Sequence, residues 1–336
     1  MSAPVILGIE SSCDDTGAAV IEGRKLRSNV IASQMVHKLY GGVVPELASR
    51  AHQKLILPVV EEALEQGGTT LDDLDAIAVT YGPGLAGSLL VGLSFAKGLA
   101  LARGLPLIGV NHLEGHMYSV FLAPEQPSFP YLCLTVSGGH TQLALVKAPF
   151  EHELLGQTRD DAAGEAFDKI AKLLDLPYPG GPQIDRMAKE GNPRFHRFPR
   201  AQLEGYDFSF SGLKTSVLYY LNRHTPEERQ RLLDEHRADI AASVQAAIVD
   251  VLLDAIRRAV NETGVKHVAI VGGVSANSEL RQRAQTLADA HGFSLYIPPL
   301  PYCMDNAAMI AMAGAFKWEA GLFSPLTLTA EPNLTI

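Results

Sequence analysis

Short apolar runs alternate with longer amphipathic stretches along the chain, and small polar or glycine-bearing loops separate them. Residues 5–10 read as a buried strand, 17–21 as its return after the polar loop 11–16, and 26–34 as a third strand. Gly41-Gly42 breaks the chain, and Pro45 starts a helix over 45–66. A strand at 75–80 runs into the glycine loop 82–88 and a helix to 102, and a fifth strand at 105–110 leads straight into a helix that begins at His112. Pro124, Pro127 and Pro130 then mark a boundary. After it the pattern restarts: strand 131–136, loop 137–141, strand 142–147, then helices at 161–175, 182–189, 212–221 and 238–263. Strand 267–271, a glycine loop with a new helix, strand 293–297 and helix 305–319 complete it.

Each half opens with a strand, a small-residue polar loop ending in threonine (Thr16, Thr141) and a strand, a weak internal duplication with a period far above solenoid length. The expectation is an α/β protein of two similar domains, 1–123 and 124–336. The second carries a helical insertion, and its last helix is free to return to the first. Two such domains leave a cleft, a preferred place for ligands, with the two hairpin loops facing across it.

Composition narrows the class. With 336 residues, 47 % hydrophobic and 19 % charged, the chain can build a sizeable core. Its net charge of −9 gives no global attraction to nucleic acid, so contact with a polyanion needs a local basic patch. Cys13, Cys133 and Cys303 form no C-x-x-C pair, which speaks against a disulfide framework or zinc ribbon and suits a reducing cytosol. The first seven residues lack the features of a signal peptide. The most apolar stretch, 82–102, holds five glycines and Lys97, and reads as a buried helix, not a membrane span.

In His112-Leu113-Glu114-Gly115-His116 the two histidines lie four apart, on one face of a helix, where both imidazoles reach one cation. Glu114 falls about 200° round from His112, away from that cation, unlike the base of a His-Glu-x-x-His protease. The pair reads as two ligands awaiting a third, or as two ordinary surface histidines at helical spacing. Ser137-Gly138-Gly139 lets backbone approach a ligand and presents consecutive N–H groups to an anion. Gly272-Gly273 sits between a strand and a helix, where nucleotides rest on α/β sheets, but no Gly-Lys-Ser/Thr or G-x-G-x-x-G accompanies it. Each glycine pair alone is more often a tight turn than a ligand site. Arg194-Phe195-His196-Arg197-Phe198-Pro199-Arg200 alternates cations with aromatics and is the candidate RNA contact. The rival reading is a surface loop anchored by its phenylalanines. Lys169 and Lys214 are expected to be internal or to face the cleft.

These residues together resemble the TsaD family, the catalytic subunits that make threonylcarbamoyladenosine in tRNA, formerly described as O-sialoglycoprotein endopeptidases. The resemblance spans nearly the whole chain: Gly8-Ile9-Glu10 with Ser12-Cys13-Asp14, Gly41-Gly42-Val43-Val44-Pro45-Glu46, Gly82-Pro83-Gly84-Leu85 and the histidine pair. It continues through 136–141, 160–169, 208–215, 272–277 and Asp305-Asn306. It implies the fold of actin, Hsp70 and sugar kinases. It also implies that His112, His116 and Asp305 hold one divalent metal, Fe(II) or Zn(II). Thr135, Val136, Ser137, Gly138 and Gly139 would line the substrate site near the acyl phosphate of threonylcarbamoyl-adenylate, and Asp168, Gly181, Asp185 and Asn277 the ribose and adenine. The chain departs from relatives at Asp15, where many have Glu, and at Thr135, where archaeal members carry a metal-contacting Tyr. His140 follows the bacterial and mitochondrial pattern.

The function this implies is acyl transfer from the adenylate to N6 of adenosine 37 in tRNAs reading ANN codons, forming t6A. Asp14 and Asp15 are the catalytic candidates, with Glu114 a further candidate base; Arg194, Arg197 and Arg200 are the candidate tRNA contacts. Implied partners are tRNA, a TsaB-like paralogue, a TsaE-like ATPase and a TsaC-like enzyme supplying the adenylate, all cytoplasmic, with no membrane. The helix 45–66 is a candidate partner face. The rivals are a small-molecule kinase of the same fold, a metalloprotease and a non-catalytic scaffold.

Overall fold

The computed structural model describes residues 3–34, 37, 40 and 42–336; Gly41 of the predicted glycine break lies outside them. The chain divides into two units, Met1–Gln126 with Pro298–Ile336, and Pro127–Ile297.

The first unit is built on β1 (Val5–Glu10), β2 (Asp15–Glu22), β3 (Lys25–Ser33), β4 (Ala76–Gly82) and β5 (Leu107–Asn111). Their order is β3-β2-β1-β4-β5, antiparallel through the hairpins and parallel across β1, β4 and β5. Successive side chains leave a strand on opposite faces. Leu7 and Ile9 therefore join a core with α1 (Pro45–Gln66) and α2 (Ala86–Arg103), while Ile6 and Gly8 face α9 (Ala307–Glu319) on the other side. The contact with α9 is made of small residues. A Cβ on Gly8 would lie 2.7 Å from the Ala311 backbone nitrogen and 2.8 Å from the Ala307 carbonyl oxygen, and one on Gly314 would lie 2.6 Å from Ala78 Cβ.

The expectation of a buried helix at 82–102 needs correction. By length and composition α2 is apolar enough to cross a membrane, yet it lies on the sheet as the outer layer of an α/β unit. It buries Leu89, Leu93, Ala96 and Ala100 and leaves Leu90 and Leu101 exposed. A helix in that layer covers one face only.

The second unit repeats the plan with β6 (Tyr131–Val136), β7 (Thr141–Ala148), β8 (Glu151–Gln157), β9 (His267–Val271) and β10 (Ser294–Tyr296), in the order β10-β9-β6-β7-β8. Read from the hairpin edge, the two sheets share one topology: a three-strand meander followed by two parallel crossovers. β8 was not expected, because its half-exposed sequence EHELLGQ carries no clear alternation of apolar and polar positions. The helices are α4 (Ala163–Leu173), α5 (Gly180–Ala188), α6 (Ser211–Leu221), α7 (Pro226–Thr263) and α8 (Ser278–His291). α7 starts well before the predicted residue 238. Its first turns are polar, but Thr225 and Glu228 form a capping box and Pro226 occupies the first turn, and the helix kinks at His236.

Candidate metal centre and nucleotide loops

The histidine helix α3 (His112–Tyr118) begins directly off the buried strand β5 and is N-capped by Asn111, whose side chain accepts from the Leu113 amide. A short helix emerging from a sheet edge keeps its inward face dry: His112 is 6 % exposed and His116 0 %. The third group comes from the far end of the chain. Asp305 immediately precedes Asn306, the N-cap of α9, and the close packing of α9 on Gly8 sets where that start lies. Asp305 Oδ1 is 3.1 Å from His116 Nε2 and 3.5 Å from His112 Nε2. One ligand atom from each of the three lies within 4.8 Å of the others.

A buried carboxylate to which the sequence motif assigned no role supports this group. Glu10, 1 % exposed at the end of β1, accepts a hydrogen bond from His112 Nδ1 at 3.1 Å and from Thr80 Oγ1 at 2.7 Å, and the Ser12 amide also donates to it. Ser12 Oγ lies 3.2 Å from the same nitrogen. A carboxylate only accepts, so Nδ1 carries a proton, and Nε2, which faces Asp305, is the nitrogen on which a cation would replace a proton. The signal present in the sequence was one charged residue closing an apolar strand.

The electrostatics favour positive charge here. Burial lowers the His112 imidazole, but the charges of Asp305 and Glu10 outweigh it and hold it well above its ordinary value. Burial raises the Asp305 carboxyl, yet His112 and then His116 hold it well below the usual carboxylate range. Two histidines and a carboxylate suit a divalent transition metal, and the 29 % exposure of the Asp305 side chain leaves the group open on one side. The donor set fits such an ion.

Glu114 does not join it. Its carboxylate pairs with Lys317 near the far end of α9 at 3.1 Å, which removes it as a candidate base. Asp14 and Asp15 close the β1–β2 loop. Burial, with the charges of Asp305 and Asp14, pushes the Asp15 carboxyl up to about 6 against a hydrogen bond from Ser33.

In the second unit, Thr135 and Val136 are fully buried in β6, next to the hairpin loop. Ser137 anchors the hairpin loop, its amide donating to His140 O and its hydroxyl accepting from the His140 amide. Gly138 and Gly139 are exposed, and a Cβ on either would meet nothing within 4 Å. The fold does not require glycine there. Gly272 is different: its φ is +88° and a Cβ would lie 2.4 Å from Val136 O, so this pair member is a structural turn against β6.

Asp168 accepts from the Gly180 and Gly181 amides at 2.6 and 3.4 Å, holding the start of α5. Asp185 accepts from the Ser278 amide and hydroxyl, tying α5 to α8. Asn277 caps α8 through the Leu280 amide and donates to Gln245 Oε1 at 2.7 Å, so most of its amide is already used by the fold. The four predicted ribose and adenine residues thus gather at the starts of α5 and α8.

The basic segment is anchored rather than splayed. Phe198 is 1 % exposed and Phe195 stacks on His236, so neither phenylalanine is presented to a base. Arg200 is held by Asp250 at 2.8 Å, whereas Arg194 and Arg197 are exposed. Lys169 is not internal: it pairs with Asp161 and Glu165 with its side chain 41 % exposed.

By fold, the chain is similar to T. kodakarensis HypF (TM-score 0.65, 15 % identity, 95 % of this chain and 48 % of that one). It is also similar to the ROK hexokinase of Thermus thermophilus (TM-score 0.50, 16 % identity, 94 % and 99 %). The fold is that of the actin-like and sugar-kinase proteins. By sequence, it is 63 % identical to the tRNA N6-adenosine threonylcarbamoyltransferase of Salinibacter ruber, over 99 % of this chain and 100 % of that one. It is 53 % identical to that of Symbiobacterium thermophilum, over 99 % and 97 %. The family model for TsaD, tRNA N6-adenosine threonylcarbamoyltransferase, matches residues 25–312. With 63 % identity along its full length and a match over most of its residues, the chain belongs to the TsaD family of tRNA-modifying acyltransferases.

Proposed function

We propose that the chain transfers the threonylcarbamoyl group from threonylcarbamoyl-adenylate to N6 of adenosine 37 in tRNAs that read ANN codons, releasing AMP. The observation that carries this reading is the convergence of His112, His116 and Asp305, in a chain of this family, on one open, buried-carboxylate-backed position. A bound Fe(II) or Zn(II) would supply Lewis acidity toward the carbonyl or carboxylate of the substrate.

The protein's own groups do the positioning. Glu10 and Ser12 fix the His112 ring, and α9 fixes Asp305. Gly138 and Gly139 in the Ser137–His140 turn offer their amides to the phosphate, whose negative charge grows as AMP departs. Asp168 and Asp185 each have an oxygen left for the nucleoside beyond those committed to α5 and α8. An exocyclic amine is a weak nucleophile, so much of the acceleration comes from holding it in line with the carbamoyl carbon. Asp15, raised by burial, is the carboxylate proposed to take its proton, with Asp14 beside it.

The cytoplasm as location, and a shorter TsaB-like paralogue, a TsaE-like ATPase and a TsaC-like adenylate source as partners, belong to the same proposal. Exposed Leu57 on α1 and Leu90 and Leu101 on α2 support a protein-covered face there. The test supplies the purified chain with these partners, threonine, bicarbonate, ATP and unmodified tRNA, then looks for threonylcarbamoyladenosine by mass spectrometry. Product with the wild type and none with His112→Ala supports the reading. Full product with His112→Ala removes the metal group from it, and none with the wild type beside an active relative rejects it.

A further inference from the structure

Outside these groups the second unit carries a surface hollow of about 380 Å³, walled by His196, Gly212, Thr215, Tyr219, Tyr220 and Arg223. We infer that this hollow receives an unstacked nucleotide of the tRNA, its base against the aromatic wall and its phosphate at Arg223. The inference rests on the tRNA reading above.

One wall is rigid. The segment 192–200 is tied to α7 by the Asn192 amide to Asp239 (2.7 Å), the His196 amide to Ser243 Oγ (3.2 Å) and Arg200 to Asp250. The sunken Phe198 lies against His196, whose ring stands 4.3 Å from that of Tyr220. The other wall is α6. Leu213, Val217 and Leu221 bury its inner face, so the core does not need Tyr219, which is 64 % exposed. Nothing stands within 4 Å of where a Cβ on Gly212 would be, so the helix start is open to a ligand.

The charge points to a polyanion. On a chain of net charge −9, Arg194, Arg197 and Arg223 are exposed and none forms an ion pair with another described residue. An exposed ring, Tyr219, and the exposed Arg223 guanidinium in one hollow are the pairing that single-stranded nucleic acid uses: stacking on the ring, attraction at the phosphate. Burial and the nearby Arg223 also lower the His196 imidazole, which keeps its ring neutral and suited to stacking. The volume lies within the range of small-ligand sites.

The test measures binding of the whole chain to unmodified tRNA and to heparin by fluorescence anisotropy across a salt series. Tyr219→Ala is expected to weaken tRNA binding by about 5- to 100-fold while leaving heparin binding unchanged. Arg223→Glu is expected to weaken both and to lower the salt slope by about one. Lys147→Glu, a charge change on β7, serves as the control and should cost tRNA no more than its general electrostatic share. Wild-type-like tRNA binding by Tyr219→Ala and Arg223→Glu overturns the inference while leaving the transferase reading intact. A loss confined to Arg223→Glu overturns the stacked base. Failure of the wild type to bind tRNA at all rejects both readings.

Discussion

Glu10 and His112, 102 residues apart in sequence, meet at 3.1 Å, and the Glu10 carboxylate decides which nitrogen of the imidazole is left for a cation. Thr80 and the Ser12 amide hold that carboxylate in turn. Removing its charge with Glu10→Gln should lower metal affinity about 10- to 100-fold, as loss of a partner behind a ligating histidine does. Titration with Zn(II) against a competing chelator measures this. Affinity equal to wild type would show that Ser12 alone orients the ring.

Asp305 reaches the histidines only because α9 lies almost in contact with β1. Gly8→Ala places a methyl 2.7 Å from the Ala311 amide nitrogen, and backbone cannot yield as a side-chain tip can. The expected cost is about 1–3 kcal/mol of stability, with weaker metal binding as the start of α9 shifts. Gly98→Ala on α2, where nothing lies within 4 Å, is the internal comparison and should stabilise by about 0.5–1 kcal/mol. Urea unfolding of both variants checks the pair.

The two glycine loops of the second unit should part company under the same substitution. Gly272→Ala meets Val136 O at 2.4 Å and must adopt a left-handed φ, so it should unfold or strongly destabilise the protein. Gly139→Ala should leave thermal stability within about 0.5 kcal/mol, since the fold leaves that space empty. If the loop cradles the phosphate, turnover should nonetheless fall at least tenfold. Unchanged turnover would reduce Ser137–Gly139 to an ordinary hairpin turn.

Asp15 predicts a pH dependence of stability. Its carboxyl titrates at about 6 in the folded chain against 3.8 when exposed, so between those values the folded state keeps a proton that the unfolded state has lost. Stability from this group is therefore fully present below about pH 4, declines as pH rises toward 6 and is flat above. The decline amounts to at most about 3 kcal/mol. Asp15→Asn does not titrate, so the wild-type minus variant difference in unfolding free energy should fall by that amount from pH 4 to pH 7. A difference that does not change with pH would mean the carboxyl is better solvated than its surroundings suggest.

Periodicity along the chain was enough for most strands and helices and for the repeat of strand, small-residue loop and strand in each half. Those features depend on neighbours within a few residues. The same holds for His112 and His116, whose shared face follows from helical geometry alone. The edge strand β8 and the polar start of α7 escaped because neither buries a regular apolar stripe, although the Thr225–Glu228 capping box was there to be read. Nothing local could join Glu10 to His112, turn Glu114 toward Lys317, or sink Phe198 while leaving Tyr219 exposed. Each of those outcomes depends on which faces pack against one another, and the chain brings Asp305 across 189 residues to His116 only once Gly8 has let α9 settle on the sheet.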